Sequence, residues 1–192
     1  MKYNNETSEK IMKVALRLFS EQGYYPTTTK QIAEEAGVNE LTIFRHFGSK
    51  GNLFQVTTEH YVLDSKVDSI LEDIDNLDFS ESMFIISERI YKFLIQNTKL
   101  YKVQMKLSDN ERDFVKLKLS RKIISVLKEY FEKLVEEEQI DGNPELMAVT
   151  LIDSLLGSFT VDILSEHTIS NFTWEELVRE HTKQFISLYK KQ

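Results

Sequence analysis

A chain of 192 residues has room for one large domain, or for a small domain joined to a larger one, and it can bury roughly 70% of its unfolded surface without a metal or disulfide staple. It contains no cysteine, which excludes disulfides, thiolate metal sites and cysteine nucleophiles and fits a reducing compartment. The net charge of −7 opposes a polyanionic partner, yet residues 1–54 hold seven Lys/Arg against six Asp/Glu, a balance of +1 that leaves −8 for the remainder.

The opening MKYNNETSEK is polar and carries no signal core, and no stretch approaches the roughly 20 apolar residues of a membrane span, so a cytoplasmic protein without a membrane partner is expected. Two prolines and six glycines leave the chain largely unbroken. Apolar residues recur with helical period and nowhere alternate as in a sheet, which predicts an all-α fold. A first helix over 8–22 places Ile11, Val14, Ala15, Leu18 and Phe19 on one face, and Gly23 ends it as a left-handed cap before Tyr24-Tyr25-Pro26. A second opens at Thr28, with Gln31 completing a capping-box pattern, buries Ile32, Ala33 and Ala36, and stops at Gly37. A third starts from Asn39, with Glu40 in its first turn and Ile43, Phe44 and Phe47 directed inward. Gly48-Ser49 resets the chain for a fourth helix from about Lys50.

Longer helices follow. Ser80 is expected to cap one running to Gln96, and a short one covers 98–107. The box Ser108-Asp109-Asn110-Glu111 opens another to about Glu138. Asp141-Gly142 makes a turn, and Asn143-Pro144 starts a helix over 144–166 that is apolar on nearly every side. Thr173 with Glu176 is a third box, opening the last helix, which runs nearly to Gln192.

Two short helices around a glycine-containing turn are either an ordinary helical hairpin or a helix-turn-helix, whose second helix enters the DNA major groove. The polar side chains of Thr42, Arg45 and His46 favour the second reading. So does Lys50 at a helix start, where its charge and the free N–H groups suit a phosphate. The stretch resembles the TetR family of bacterial transcriptional regulators. The resemblance is carried by Leu18-Phe19, Gly23, Thr28-Thr29, Ile32-Ala33-Glu34-Glu35-Ala36-Gly37-Val38, Phe44-Arg45-His46-Phe47 and Lys50. It covers about residues 8–55. Beyond that point the chain matches in length and helical pattern only.

The resemblance implies a helix-turn-helix DNA-binding domain over 1–52 and a helical effector-binding and dimerisation domain over 53–192. Thr29, Thr42, His46 and Lys50 take the family's phosphate-contact positions, and Lys30, Glu40 and Leu41 its base-facing ones. Thr28, Asn39, Phe44 and Arg45 complete the DNA-facing set. Phe44 stands where a tyrosine is common and lacks its hydroxyl, which shifts affinity toward Lys50 and Thr42. A carboxylate at Glu40 can accept from cytosine N4, or it can cap its helix and avoid DNA. A leucine at 41 can touch a thymine methyl.

An aromatic stripe in the middle helices is more often core than a binding site, but the resemblance implies an apolar cavity for a small hydrophobic or aromatic effector. Its candidate lining is Met83, Phe84, Tyr91, Tyr101, Met105, Phe114 and Phe159. It likewise implies a homodimer through the last two helices, with Leu151, Leu155, Leu156, Phe159, Ile163, Phe185 and Leu188 at the interface. The family's role is that of a repressor on a palindromic double-stranded DNA operator, released by its effector. No metal, cofactor or catalytic residue is expected, because His46, His60, His167 and His181 show no ligand spacing and no nucleophile or nucleotide motif occurs. A helical interaction module with a relic helix-turn-helix is the rival reading, distinguished by a flat salt dependence of DNA binding.

Overall fold

The structure, a computed structural model, describes residues 5–63, 67–106, 118–165, 168 and 171–191. The box expected at Ser108–Glu111 and the candidate Phe114 lie outside the described residues. The chain folds as two compact units, residues 1–65 with 97–118, and residues 66–96 with 119–192. The first unit therefore reaches past residue 52, where the sequence suggested a boundary, and takes in two further helices.

The first unit contains α1 (Glu6–Gln22), α2 (Thr29–Ala36), α3 (Glu40–Phe47), α4 (Lys50–Leu63) and α6 (Thr98–Met105). Asn5 caps α1 by accepting from the Ser8 N–H at 2.8 Å. α1 packs against α2, α4 and α6, so three neighbours widen its inner face. Met12 and Leu16 are buried with Ile11, Ala15, Leu18 and Phe19, whereas Val14 is only half-buried. Phe19, Phe54 and Tyr24 form an aromatic cluster with ring centroids 5.0–5.8 Å apart. Gly23 departs from the left-handed cap expected of it. Its φ of 90° is positive, but its ψ of 173° is extended, so the chain leaves the helix directly into the Tyr24–Pro26 turn.

The second unit contains a 3₁₀ turn (Val67–Leu71), α5 (Phe79–Gln96), α7 (Lys118–Glu136), α8 (Pro144–Leu164) and α9 (Trp174–Tyr189). The cap of α5 is Asp78 rather than Ser80. The Asp78 carboxylate accepts from the Glu81 N–H at 3.0 Å, and Glu81 accepts from the Asp78 N–H at 3.2 Å. That backbone hydrogen bond from Glu81 lowers the Asp78 pKa. Asn143 caps α8 with Pro144 in its first turn, and Thr173 and Glu176 form the complete box opening α9. α5 packs on α8 and α9, and α8 on α9. Phe131 of α7 meets Phe185 of α9 at 5.7 Å.

By length and composition α8 could cross a membrane, with a mean hydropathy of 1.6. This corrects the expectation that no stretch comes close. The helix nevertheless carries Asp153 and Asp162, and one of its faces forms the core of this unit: Met147, Ala148, Leu151, Ile152, Leu155 and Phe159 are all buried. The expected burial on every side holds on that face alone, since Leu146, Val161 and Leu164 are exposed. Of the residues expected at a dimer interface, Leu151, Leu155, Phe159 and Phe185 are 0–3% exposed within the single chain. Leu156 and Ile163 are half-buried, and Leu188 is 68% exposed.

Tyr91 of α5 sits in this core, stacked on Trp174 at 5.3 Å and meeting the edge of Phe159 at 5.8 Å. Burial, reinforced by the negative charge of Asp162, pushes its phenol up to about 12 from the ordinary 10.0. The unfolded chain thus loses this proton first, and stability should fall as pH rises from about 10 to 12. Two pH units correspond to on the order of 2 kcal/mol. Tyr91→Phe should abolish that loss and leave neutral-pH stability equal or higher, because the buried hydroxyl has no hydrogen-bond partner among the described residues. Denaturant titrations at pH 7 and 11 check both outcomes.

Candidate nucleic-acid interface

α2 and α3 are each eight residues long, too short to persist alone, so their mutual angle depends on the turn and on packing. Thr28 caps α2 by accepting from the Gln31 N–H. Gly37 ends it at φ 64°, ψ 38°, a left-handed conformation that a side chain would strain. The Val38 N–H returns to the Ala33 carbonyl at 2.9 Å, and Asn39 caps α3 through the Leu41 N–H at 2.8 Å. A turn of Gly37, Val38 and Asn39 joins the two helices, α2 packs on α3, and α3 packs on α4.

Within α3, Ile43 and Phe47 are buried at 0% and 2% exposure, whereas Phe44 is 44% exposed. The inward direction expected for Phe44 is thus wrong. Positions 43 and 47 lie nearly in line at the i, i+4 spacing, and residue 44, about 100° round the helix from 43, falls on the flank. Leu41 is 75% exposed and Arg45 is exposed. Thr42 and His46, expected to be outward, are half-buried.

Several of the candidate polar groups are engaged within the protein. The Thr29 hydroxyl donates to the Glu40 carboxylate at 2.6 Å, tying the start of α2 to the start of α3. His46 Nδ1 shares a 2.8 Å hydrogen bond with the hydroxyl of fully buried Ser8 in α1. The Lys50 ammonium donates to the carbonyls of Tyr24 at 2.9 Å and Thr27 at 3.0 Å, reaches that of Tyr25 at 3.4 Å, and lies 4.3 Å over the Tyr24 ring. Lys30 and Arg45, by contrast, are exposed cations with no internal ion pair or hydrogen bond among the described residues. The sequence carries no signal for Ser8, and for Tyr24 and Thr27 only the aromatic turn Tyr24-Tyr25-Pro26 before a capped helix.

Lys50 therefore has a structural alternative to holding a phosphate. Hydrogen bonds to a charged group contribute about 1.5–3 kcal/mol, so Lys50→Met should destabilise the first unit by about that amount. It should also weaken binding to all DNA sequences equally, with the salt slope unchanged. A slope smaller by about one per half-site at unaltered stability would return Lys50 to the phosphate role.

The effector candidates divide between the units. Met83 and Tyr91 are buried and Phe84 half-buried on α5, with Phe159 beside Tyr91 in the second unit. Tyr101 and Met105 belong to α6 of the first. Trp174, absent from the candidates, is the residue stacked on Tyr91. Among the described residues no group of three or more His, Cys, Asp or Glu is placed to hold a metal ion.

A helix pair joined by a three-residue turn, with Lys30 and Arg45 exposed and without an ion pair or hydrogen bond among the described residues, has the geometry of a helix-turn-helix. The model of the family of bacterial regulatory proteins, tetR family, matches residues 11–57. The uncharacterized HTH-type transcriptional regulator YvkB of Bacillus subtilis is 25% identical over 94% of this chain and 95% of its own length. The uncharacterized HTH-type regulator YerO of the same organism is 30% identical over 69% of this chain, which spans 43% of YerO. Bacillus subtilis FadR, solved in complex with stearoyl-CoA, shares the fold with a TM-score of 0.76 at 16% identity, over 93% of this chain and 97% of that one. The chain thus carries, over residues 11–57, the N-terminal region of the bacterial regulatory proteins, tetR family, and is similar along nearly its whole length to a transcriptional regulator, YvkB.

Proposed function

We propose that the protein is a cytoplasmic repressor that binds a palindromic operator as a homodimer and is released by a small hydrophobic or aromatic effector. The outer face of α3 carries this reading. Leu41, Phe44 and Arg45 are presented outward on a helix whose inner side is fixed by Ile43 and Phe47. Lys30 and Arg45 add charge that suits phosphate or guanine, and phosphate contacts would set the register in which the apolar pair meets the bases.

The dimer is supported by the uncovered face of α8 and the end of α9, where Leu146, Val161, Leu164 and Leu188 are 43–68% exposed. Apolar exposure on this scale suits a second copy, and a two-fold pair would present two copies of α3 to successive half-sites. The effector is supported by Tyr91 and Ser87, one turn apart on α5. Both are buried with hydroxyls that have no hydrogen-bond partner among the described residues, and the Tyr91 ring packs against Phe159 and Trp174. A ligand that supplied the missing hydrogen bonds would bind one arrangement of this unit better than another, as release requires.

Selection of bound duplexes from a random-sequence library tests the proposal. Enrichment of an inverted repeat with two equivalent half-sites is the expected result. Enrichment of a single unrepeated site, or of no sequence, would refute the dimeric operator reading.

A further inference from the structure

We propose that Leu41 and Phe44 read the methyl groups of neighbouring thymines, so that each half-site must contain thymine at two adjacent base pairs. The inference rests on the DNA-binding reading above and specifies what α3 recognises. Leu41 and Phe44 are 75% and 44% exposed and lie three residues apart, the spacing that sets side chains next to each other on one helix face. Their Cβ atoms are then about 5–6 Å apart, comparable with the ~3.4 Å rise between successive bases, so the pair spans adjacent base pairs.

Two polar groups at the start of the helix are already engaged: the Glu40 carboxylate holds the Thr29 hydroxyl and the Asn39 side chain holds the Leu41 N–H. Beside Arg45, the outward side chains of this helix are the apolar Leu41 and Phe44. The thymine C5-methyl is the apolar group that a base edge displays in the major groove. The flanking cations of Lys30 and Arg45 point to DNA as the occupant of this face rather than an apolar protein surface.

The test resynthesises the selected duplex with deoxyuridine in place of thymidine, which keeps every hydrogen-bonding group and removes only the methyl. Burial of one such carbon corresponds to about fourfold in affinity, so the protein should lose more than tenfold when both methyls of a half-site are removed. The same change in flanking sequence should be silent. Leu41→Ala should erase the thymine-over-uracil preference at one position and Phe44→Ala at its neighbour, and their exposure lets both variants fold. Equal affinity for the thymidine and deoxyuridine duplexes would overturn the inference while leaving DNA binding intact. Absence of salt-dependent binding to either duplex would overturn the DNA-binding reading and this inference with it.

Discussion

Phe47→Ala should unfold the DNA-binding unit, whereas Phe44→Ala should leave it folded. Phe47 is 2% exposed beneath the recognition helix, and removing such a side chain costs about 3–5 kcal/mol through lost burial and the cavity left behind. That approaches the 5–15 kcal/mol that holds a typical domain together. Without this anchor, an eight-residue helix loses its fixed angle to α2. Phe44, at 44% exposure, has already left much of its ring in water, so truncation should cost under about 1 kcal/mol. Denaturant midpoints of the two variants, read beside DNA affinity, check the contrast. Equal destabilisation would mean that Phe44 packs inward after all.

Phe159→Lys should collapse the second unit, and Leu188→Lys should instead separate the proposed dimer into folded monomers. A lysine at 159 would place an unpaired charge against Tyr91 inside the core, at a cost of several kcal/mol. Leu188 is 68% exposed on the single chain, so a lysine there is harmless unless a second copy covers it. Sedimentation and helical circular dichroism separate the two outcomes. A folded Phe159→Lys variant would contradict the packing described here. A Leu188→Lys variant that stays dimeric would move the interface elsewhere.

Much of the first unit was legible in the sequence because its signals are local. Thr28, Gly37 and Asn39 announce helix ends through their own side chains or their lack of one, and all three act where expected. The direction of Phe44 was not legible, because the width of a buried face depends on how many neighbours cover it. The partners of Lys50 and His46 were hidden for a similar reason. Ser8 lies 38 residues from His46, and the carbonyls that hold Lys50 lie 23–26 residues away. In the second unit, apolar composition marked α8 as a core helix but could not say which of its faces the chain covers itself. Leu151 and Leu155 lie inside, and Leu164 outside, on a helix whose sequence treats them alike.

The central claim is that α3 reads sequence in DNA. Competition at physiological salt between the selected duplex and random DNA of equal length tests it most directly, repeated across a range of salt concentrations. A specific regulator should prefer the selected site by at least about a thousandfold, with affinity for both falling steeply as salt rises. A preference near unity with a flat salt dependence would contradict the account and leave a helical protein with a relic helix-turn-helix.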